Sequence, residues 1–240
     1  MARRPRIVTP NLPHHIVLRG NNRRRLFSTT GDYHLFHYFL ADALRRHGCA
    51  LHALTLMSHH VQMLLTPREP TSLSSCVKAF AQRYAQVRND KRGASGRLFE
   101  PAFFSCPVLT EAQVAIVTAH IHANPVRAGC VGDALDYQWS THGLHMCAPA
   151  RSGIHVELWT PSRWYLSLAD DWPGRGRGYF ESYEDYRIRG IEPEHVDELE
   201  ILEMISEQGE TWLRRPDGMR ASEPAVNAPK NGNGYRYLKG

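Results

Sequence analysis

Two polar side chains share one face of a run that has the pattern of a β-strand. The run from Met57 to Pro67 alternates in the way a β-strand does, with successive side chains on opposite faces. His60 and Gln62 therefore point together, while Val61 and its apolar neighbours face a core. An imidazole beside a neutral amide is suited to contact a metal ion or a nucleic acid.

A second polar pair has the spacing of a helix. His120 and Asn124 are four residues apart, so they lie on one helix face and can both address the strand with His60 and Gln62. The alternative explanations are structural. A histidine near a helix C-terminus interacts favourably with the helix dipole, and His60 would serve equally as a half-buried, hydrogen-bonded histidine.

The hydrophobic pattern predicts the elements that must position these residues. Gly48 marks the end of the first helix, and Thr110 with Gln113 forms a capping box at the start of the last. The order is that of an α+β, ferredoxin-like antiparallel sheet with helices on one face and an added C-terminal helix. The predicted elements are a strand over His14–Arg19, a helix over Asp32–Arg46, strands over Ala50–Met57 and His60–Thr66, a helix from a Ser72 cap to Asn89, a strand over Phe103–Leu109 and a helix from Thr110 that ends before Pro125.

Four stretches in a fixed order resemble one protein family. The run with His60 and Gln62 is similar to the histidine-hydrophobe-histidine (HUH) motif of single-tyrosine transposases. The family it resembles is that of the REP-associated tyrosine transposases, bacterial relatives of small insertion-sequence transposases that act on DNA hairpins. The resemblance covers about residues 1 to 145. The supporting stretches are Arg4-Pro5-Arg6 to Leu18-Arg19-Gly20-Asn21, Phe104-Ser105-Cys106-Pro107 and Asn124-Pro125-Val126-Arg127-Ala128-Gly129.

The resemblance implies a site for DNA cleavage and rejoining. In the family, the HUH histidines and a polar residue of the last helix hold a divalent ion, Mg²⁺ or Mn²⁺, against the scissile phosphate. A tyrosine one turn earlier attacks the phosphorus. Carried over, the metal ligands are His60, Gln62 and Asn124, and His120 takes the tyrosine position as the catalytic residue.

Two of these positions depart from the family pattern. Gln62 replaces a histidine with an amide oxygen, which a hard ion still accepts, whereas His120 replaces the nucleophile with a shorter group. We therefore predict a DNA-binding protein for hairpin or single-stranded DNA, related to DNA transposition, with impaired or lost cleavage. The alternative is an active metal-dependent transposase or single-strand endonuclease that uses His120, or a recruited tyrosine such as Tyr84 or Tyr137. A non-enzymatic or RNA-binding module ranks last, since the sheet lacks the paired aromatics of RNA recognition.

Basic residues are concentrated at the start of the chain. The net charge is +5 and the pI is near 9.0, and seven arginines precede Asp32, the first acid. Phosphate contacts by such residues release counterions from nucleic acid. The predicted nucleic-acid contacts are Arg3, Arg4, Arg6, Arg19, Arg23, Arg24, Arg25 and Arg127.

Cysteine usage and hydropathy favour a cytoplasmic protein. The five cysteines are scattered and lack a Cys-x-x-Cys pair, which is typical of a reduced compartment. No apolar stretch is long enough for a membrane span, so no membrane partner is expected. His142, His145 and Cys147 are of the types that bind zinc, but a fourth ligand is missing, and zinc is not expected. The oligomeric state does not follow from the sequence.

Composition divides the chain into three parts. We predict an HUH domain over residues 1–146, a partly helical extension over 147–216 and a disordered tail over 217–240. Within the extension, the glycine-rich run from Pro173 to Gly178 suggests a flexible joint, and Pro193–Gln208 has the pattern of an acidic helix.

Overall fold

Alternating and helical hydrophobic patterns form a four-stranded sheet with helices on both faces. The computed structural model describes residues 8–190 and residue 193. The strands are β1 His14–Arg19, β2 Cys49–Leu56, β3 His60–Pro67 and β4 Phe104–Pro107. The helices are α1 Thr30–His47, α2 Ser72–Lys91, α3 Glu111–Arg127, α4 His142–His145, α5 Arg163–Ser167 and α6 Trp172–Arg189.

The sheet has the order β2-β3-β1-β4 with antiparallel pairing throughout. This is the ferredoxin-like order, and the predicted fold class is confirmed. Arg19 of β1 lies opposite His60 of β3, and Val17 lies opposite Gln62. The two central strands thus bring a basic residue level with the polar pair of β3.

The period of two in the strands separates two apolar cores. Ile16 of β1 and Val61 and Met63 of β3 point to the face covered by α1 and α2. Ala53 and Leu64 point to the opposite face, which is covered by α3 and residues further along the chain. His60 and Gln62 alternate with Val61 and Met63, so they share the second face with α3.

Local signals begin and end two helices as predicted. Thr110 and Gln113 form the expected capping box of α3, in which each side chain accepts a hydrogen bond from the other's backbone N–H. Helix α1 ends at Gly48, whose φ of 62° lies in the left-handed region that glycine adopts without strain. The prediction that Ser72 caps α2 is wrong. Thr71 precedes the helix, and the Ser72 hydroxyl accepts from the N–H of Glu69 in the preceding turn.

The prediction that the last helix ends before Pro125 is also wrong, because α3 continues to Arg127. Proline removes one backbone donor but leaves its carbonyl, which accepts a hydrogen bond from the N–H of Cys130. The buried Pro125 ring packs inside the fold, and α3 ends where Gly129 adopts a φ of 66°. Tertiary packing therefore holds Pro125 in a helical position.

The residues after 146 add a layer to the second face of the sheet. Trp159, Tyr165 and Tyr179 belong to the same buried cluster as Ala53 and Leu64. Residues on both sides of position 146 thus pack into one core. The three-part division at residues 146 and 216 stays a prediction.

The flexible joint predicted over 173–178 is wrong, since this run lies within α6. Its glycines allow close packing instead. A Cβ at Gly176 would lie 2.8 Å from the Sγ of Cys147, so only glycine permits this approach of helix to loop. The predicted helix over 193–208, the tail over 217–240 and the arginines at positions 3, 4 and 6 lie outside the described residues.

None of the helices in residues 8–190 combines the length and the apolar character that crossing a membrane requires.

Candidate nucleic-acid interface and altered nuclease site

The sheet and α3 bring together the four residues that the sequence singled out. His60 and Gln62 lie on β3, facing α3, and His120 and Asn124 lie one turn apart on that helix. His60, His120 and Asn124 are half-buried, while Gln62 is buried. The polar side chains of β3 and α3 therefore lie close together, as predicted. The contacts among these four residues determine what each side chain can do.

His60 and Asn124 are joined directly. The Asn124 side chain hydrogen-bonds the His60 ring, and its Nδ2 donates to the carbonyl of His120 at 3.0 Å. Burial lowers the pKa of His60, the bond to Asn124 raises it, and the nearby Arg19 lowers it further, with a net shift downward. Burial therefore favours the neutral form of the His60 ring, which lies beside the Asn124 side chain.

Gln62 is engaged by a histidine that the sequence analysis did not single out. The Oε1 of Gln62 lies 3.1 Å from the Nε2 of His15, a buried residue of β1. The His15 ring in turn meets the ring of His120 edge to face, with centroids 5.8 Å apart. His15 therefore links the amide of β3 to the helix residue at the tyrosine position.

One ring nitrogen of His120 lies within hydrogen-bonding distance of two side chains. Its Nδ1 lies 3.1 Å from NH1 of Arg127 and 3.1 Å from the hydroxyl of Tyr186 on α6. The same Arg127 nitrogen lies 3.4 Å from the Tyr186 oxygen. Because a guanidinium only donates, Nδ1 of His120 acts as an acceptor and the ring carries its proton on Nε2 in the neutral state. This nitrogen is therefore engaged by protein groups.

The two tyrosines considered as recruited nucleophiles lie elsewhere. Tyr84 is buried in the core between α1 and α2, and its hydroxyl donates to the carbonyl of Leu26 at 2.6 Å. Tyr137 packs against the same core, and its hydroxyl donates to the carbonyl of Leu56 at 2.8 Å. Burial raises the pKa of both phenols. Both hydroxyls are thus committed to backbone carbonyls on the far side of the sheet from Gln62.

The donor set fits a tightly held divalent ion poorly. It consists of the His60 imidazole and the amides of Gln62 and Asn124, all neutral, whereas Mg²⁺ prefers sites with carboxylates. Both amides are already hydrogen-bonded to histidines, Gln62 to His15 and Asn124 to His60. Within residues 8–190 no three His, Cys, Asp or Glu side chains are grouped to hold a metal ion. Metal binding here would require these side chains to exchange their partners.

The predicted nucleic-acid contacts that the structure describes lie around this site. Arg19 ends β1 opposite His60, and Arg127 ends α3 beside His120. Arg23, Arg24 and Arg25 follow in the loop after β1, where NH1 of Arg24 donates to the carbonyl of Ser95 at 3.4 Å. The rim of the site is therefore positively charged on two sides.

The histidines considered for zinc belong to a hydrogen-bonded network behind α3. His122 joins the Tyr179 hydroxyl at 2.7 Å and the Thr141 hydroxyl at 2.8 Å. His142 joins the same Tyr179 hydroxyl at 2.6 Å, and His145 joins the Thr141 carbonyl at 3.0 Å. Burial lowers the pKa of all three histidines, to about 4 for His142 and about 3 for His145. These three rings therefore have a structural role, as hydrogen-bonded polar groups within the apolar core behind α3.

Sequence reasoning missed His15 and Tyr186. His15 carries a usable signal, because alternation in β1 places it on the same face as Arg19, and β1 neighbours β3 in the ferredoxin-like order. Tyr186 carries no such signal in the sequence. It is 66 residues from His120, and only the packing of α6 on α3 brings the two side chains together.

Comparisons with known proteins bear on the fold and the family. Residues 8–124 match the model of a family described as "Transposase IS200 like". The structure is similar to that of a REP-associated tyrosine transposase bound to a REP hairpin, with 16% identity and a TM-score of 0.53, covering 68% of this chain and 93% of that one. A crystal structure of a candidate transposase from Deinococcus radiodurans R1 matches with 21% identity and a TM-score of 0.36, covering 50% of this chain and 95% of that one. No curated protein matches the chain.

Proposed function

We propose that this protein, whose residues 8–124 match the IS200-like transposase family, binds hairpin or single-stranded DNA in a process related to DNA transposition, with its cleavage activity impaired or lost. The REP-associated transposase of similar fold is bound to a hairpin, and this supports a hairpin as the partner. The five free cysteines and the basic charge suit a DNA-binding protein of the cytoplasm.

The observation that carries the proposal is the engagement of His120. Its Nδ1 is occupied by Arg127 and Tyr186, so the residue at the tyrosine position is a structural acceptor. An imidazole is also shorter than a phenol, and a misplacement of about 1 Å can lower a rate about a hundredfold. Arg19 and Arg127 keep the positive rim that phosphates require.

The metal is part of the same proposal. When bound, Mg²⁺ or Mn²⁺ polarises a phosphoryl oxygen and offsets developing charge. Here His60, Gln62 and Asn124 are neutral and paired with neighbouring side chains, so we expect weak or absent metal binding. His60 and Asn124 then contact DNA as hydrogen-bonding groups, and Arg19 binds phosphate.

DNA binding is tested with a fluorescent hairpin oligonucleotide titrated at several salt concentrations. We expect affinity to fall steeply with salt, and Arg19→Gln to reduce the slope of log K against log salt by about 1. The matched control is Arg45→Gln on α1, on the opposite side of the sheet, which should leave the slope unchanged. Absence of salt-dependent binding by the native protein would overturn the proposal.

Cleavage is tested separately, on a denaturing gel with Mn²⁺, Mg²⁺ or chelator. We expect the native protein to leave DNA intact and the double substitution Gln62→His with His120→Tyr to gain metal-dependent cleavage. If instead the native protein cleaves and His120→Ala abolishes the activity, the chain is an active transposase or single-strand endonuclease that uses His120.

A further inference from the structure

Two cysteines from different elements meet in the core that α1 and α2 cover. Cys49 is the first residue of β2, and Cys76 lies on α2. Both pack into the same apolar cluster, and their side chains are hydrogen-bonded to each other. Both are free thiols in this structure. The fold thus places two thiols in contact although the β2–β3 hairpin separates them in the sequence.

The two thiols differ in their access to solvent. Cys49 is half-buried at the start of its strand, so a small reagent can reach its sulfur. Cys76 is fully buried, with 0% of its surface exposed. A reagent in solution therefore meets Cys49 first, and the thiol of Cys76 lies behind it.

Their contact also makes the two thiols unequal in acidity. The hydrogen bond with Cys76 lowers the pKa of Cys49, and burial opposes this effect only in part. The same hydrogen bond, together with burial, raises the pKa of Cys76. The thiolate is the nucleophilic form of cysteine, so Cys49 is the thiol that attacks an electrophile. A reachable, reactive thiol beside a second cysteine is the arrangement of redox-sensitive pairs.

We propose that Cys49 and Cys76 form a site of reversible oxidation by hydroperoxides. The thiolate of Cys49 attacks one oxygen of the peroxide, the O–O bond breaks, and Cys49 becomes a sulfenic acid. With hydrogen peroxide, the released hydroxide takes up the Cys49 thiol proton and leaves as water. The sulfur of Cys76 then attacks that of Cys49, so that an S–S bond forms, the S–O bond breaks, and the hydroxide leaves with the Cys76 proton as a second water.

Two electrons thus pass from the two thiols to the peroxide. A low-molecular-weight thiol reduces the bond again and is itself oxidised to a disulfide. In a reducing compartment, a disulfide of this kind is transient and responds to oxidant. The reaction involves none of the residues at the DNA site, so it goes beyond the proposed function and does not depend on it.

The bond closes a loop around the hairpin that carries the polar pair of β3. The chain from Cys49 to Cys76 comprises β2, β3 and the turn into α2, so His60 and Gln62 lie within this loop. A cross-link stabilises the folded state chiefly by restricting the unfolded chain. We therefore expect oxidation to raise the urea midpoint of unfolding by on the order of 1 M, and dithiothreitol to reverse the shift.

The first test locates the bond by mass spectrometry. The purified protein is reduced, freed of reductant, treated with hydrogen peroxide and digested with trypsin without further reduction. Cleavage after Arg68 places Cys49 and Cys76 in separate peptides. We expect these two peptides to be joined, and the intact oxidised chain to be about 2 Da lighter than the reduced one. Absence of the joined peptides after peroxide treatment would overturn the proposal.

Substitutions then assign the two roles. Cys76→Ser should abolish the bond and leave Cys49 as a sulfenic acid, which dimedone labels. Cys49→Ser should abolish both the bond and the rise in urea midpoint, and its half-buried position keeps the test valid if Cys76→Ser does not fold. The matched control is Cys130→Ser, which removes an exposed cysteine of the loop after α3 and should form the bond as the native protein does. A native-sized midpoint shift in Cys49→Ser, or loss of the shift in Cys130→Ser, would contradict the assignment.

Discussion

His37 lies on α1 with only 3% of its surface exposed, and neither ring nitrogen has a hydrogen-bond partner within residues 8–190. Its ring meets that of Trp139 at a centroid distance of 6.0 Å. Burial, and to a lesser extent the charges of His155 and His34, lower its pKa from 6.5 to about 3. The folded protein therefore keeps this ring neutral under conditions in which the unfolded chain protonates it.

The consequence for stability has a definite sign. Below pH 6.5 the His37 ring is protonated in the unfolded chain, whereas in the folded chain it stays neutral down to about pH 3. The free energy of unfolding therefore decreases as the pH falls through this range, by roughly 1.4 kcal/mol per pH unit. Between pH 6.5 and about pH 5 this amounts to about 2 kcal/mol for His37. Burial holds the pKa of three further histidines near 3 to 4, those of His14, His142 and His145. These groups act in the same direction as His37 as the pH falls.

We expect His37→Leu to be more stable than the native protein. Removing an unpaired buried polar ring should raise the free energy of unfolding by about 1 to 3 kcal/mol near neutral pH, and by about 2 kcal/mol more near pH 5. The measurement is urea unfolding followed by tryptophan fluorescence from about pH 7.5 to pH 5. Tyr38→Leu, at an exposed position on the same helix, is the control and should leave the pH dependence unchanged. An unaltered pH slope in His37→Leu would refute the reasoning from burial.

Two further substitutions test the packing behind α3. Thr141→Val removes the hydroxyl that bonds His122 at 2.8 Å, and should lower the free energy of unfolding in urea by about 1 to 3 kcal/mol, since a buried ring nitrogen loses its partner; a native-like midpoint would contradict this role. Gly176→Ala places a Cβ 2.8 Å from the Sγ of Cys147 and should lower the thermal midpoint, because overpacking lowers the free energy of unfolding by about 1 to 3 kcal/mol. Gly132→Ala, with open space around it, should not. Equal midpoints for the two alanine variants would show that α6 does not need its glycine.

Local chemistry made much of the fold predictable. Thr110 with Gln113 and the glycine at 48 act through neighbouring backbone groups, so the sequence alone identifies them. The meeting of His60 and Gln62 with α3 followed from strand alternation and helix spacing. These features need no knowledge of distant residues.

Other features depend on distant packing and were missed or wrong. Pro125 remains helical, and the glycines of 173–178 lie within a helix, because the second core favours those conformations over their local tendencies. The partners of the site, His15 for Gln62 and Tyr186 for His120, come from segments that are 47 and 66 residues away. Alternation in β1 places His15 on the correct face, but no local pattern pairs Tyr186 with His120.

The layer of aromatic residues behind α3 also limits how the chain can be shortened. The segment that matches the transposase family ends at residue 124, but the apolar side of α3 is covered by Trp164, Tyr179 and Tyr183, which come later. A fragment trimmed to the family segment would present this side to water and would self-associate. For expression and engineering, we therefore expect the family segment to need the residues up to about 190, whose aromatic side chains cover α3.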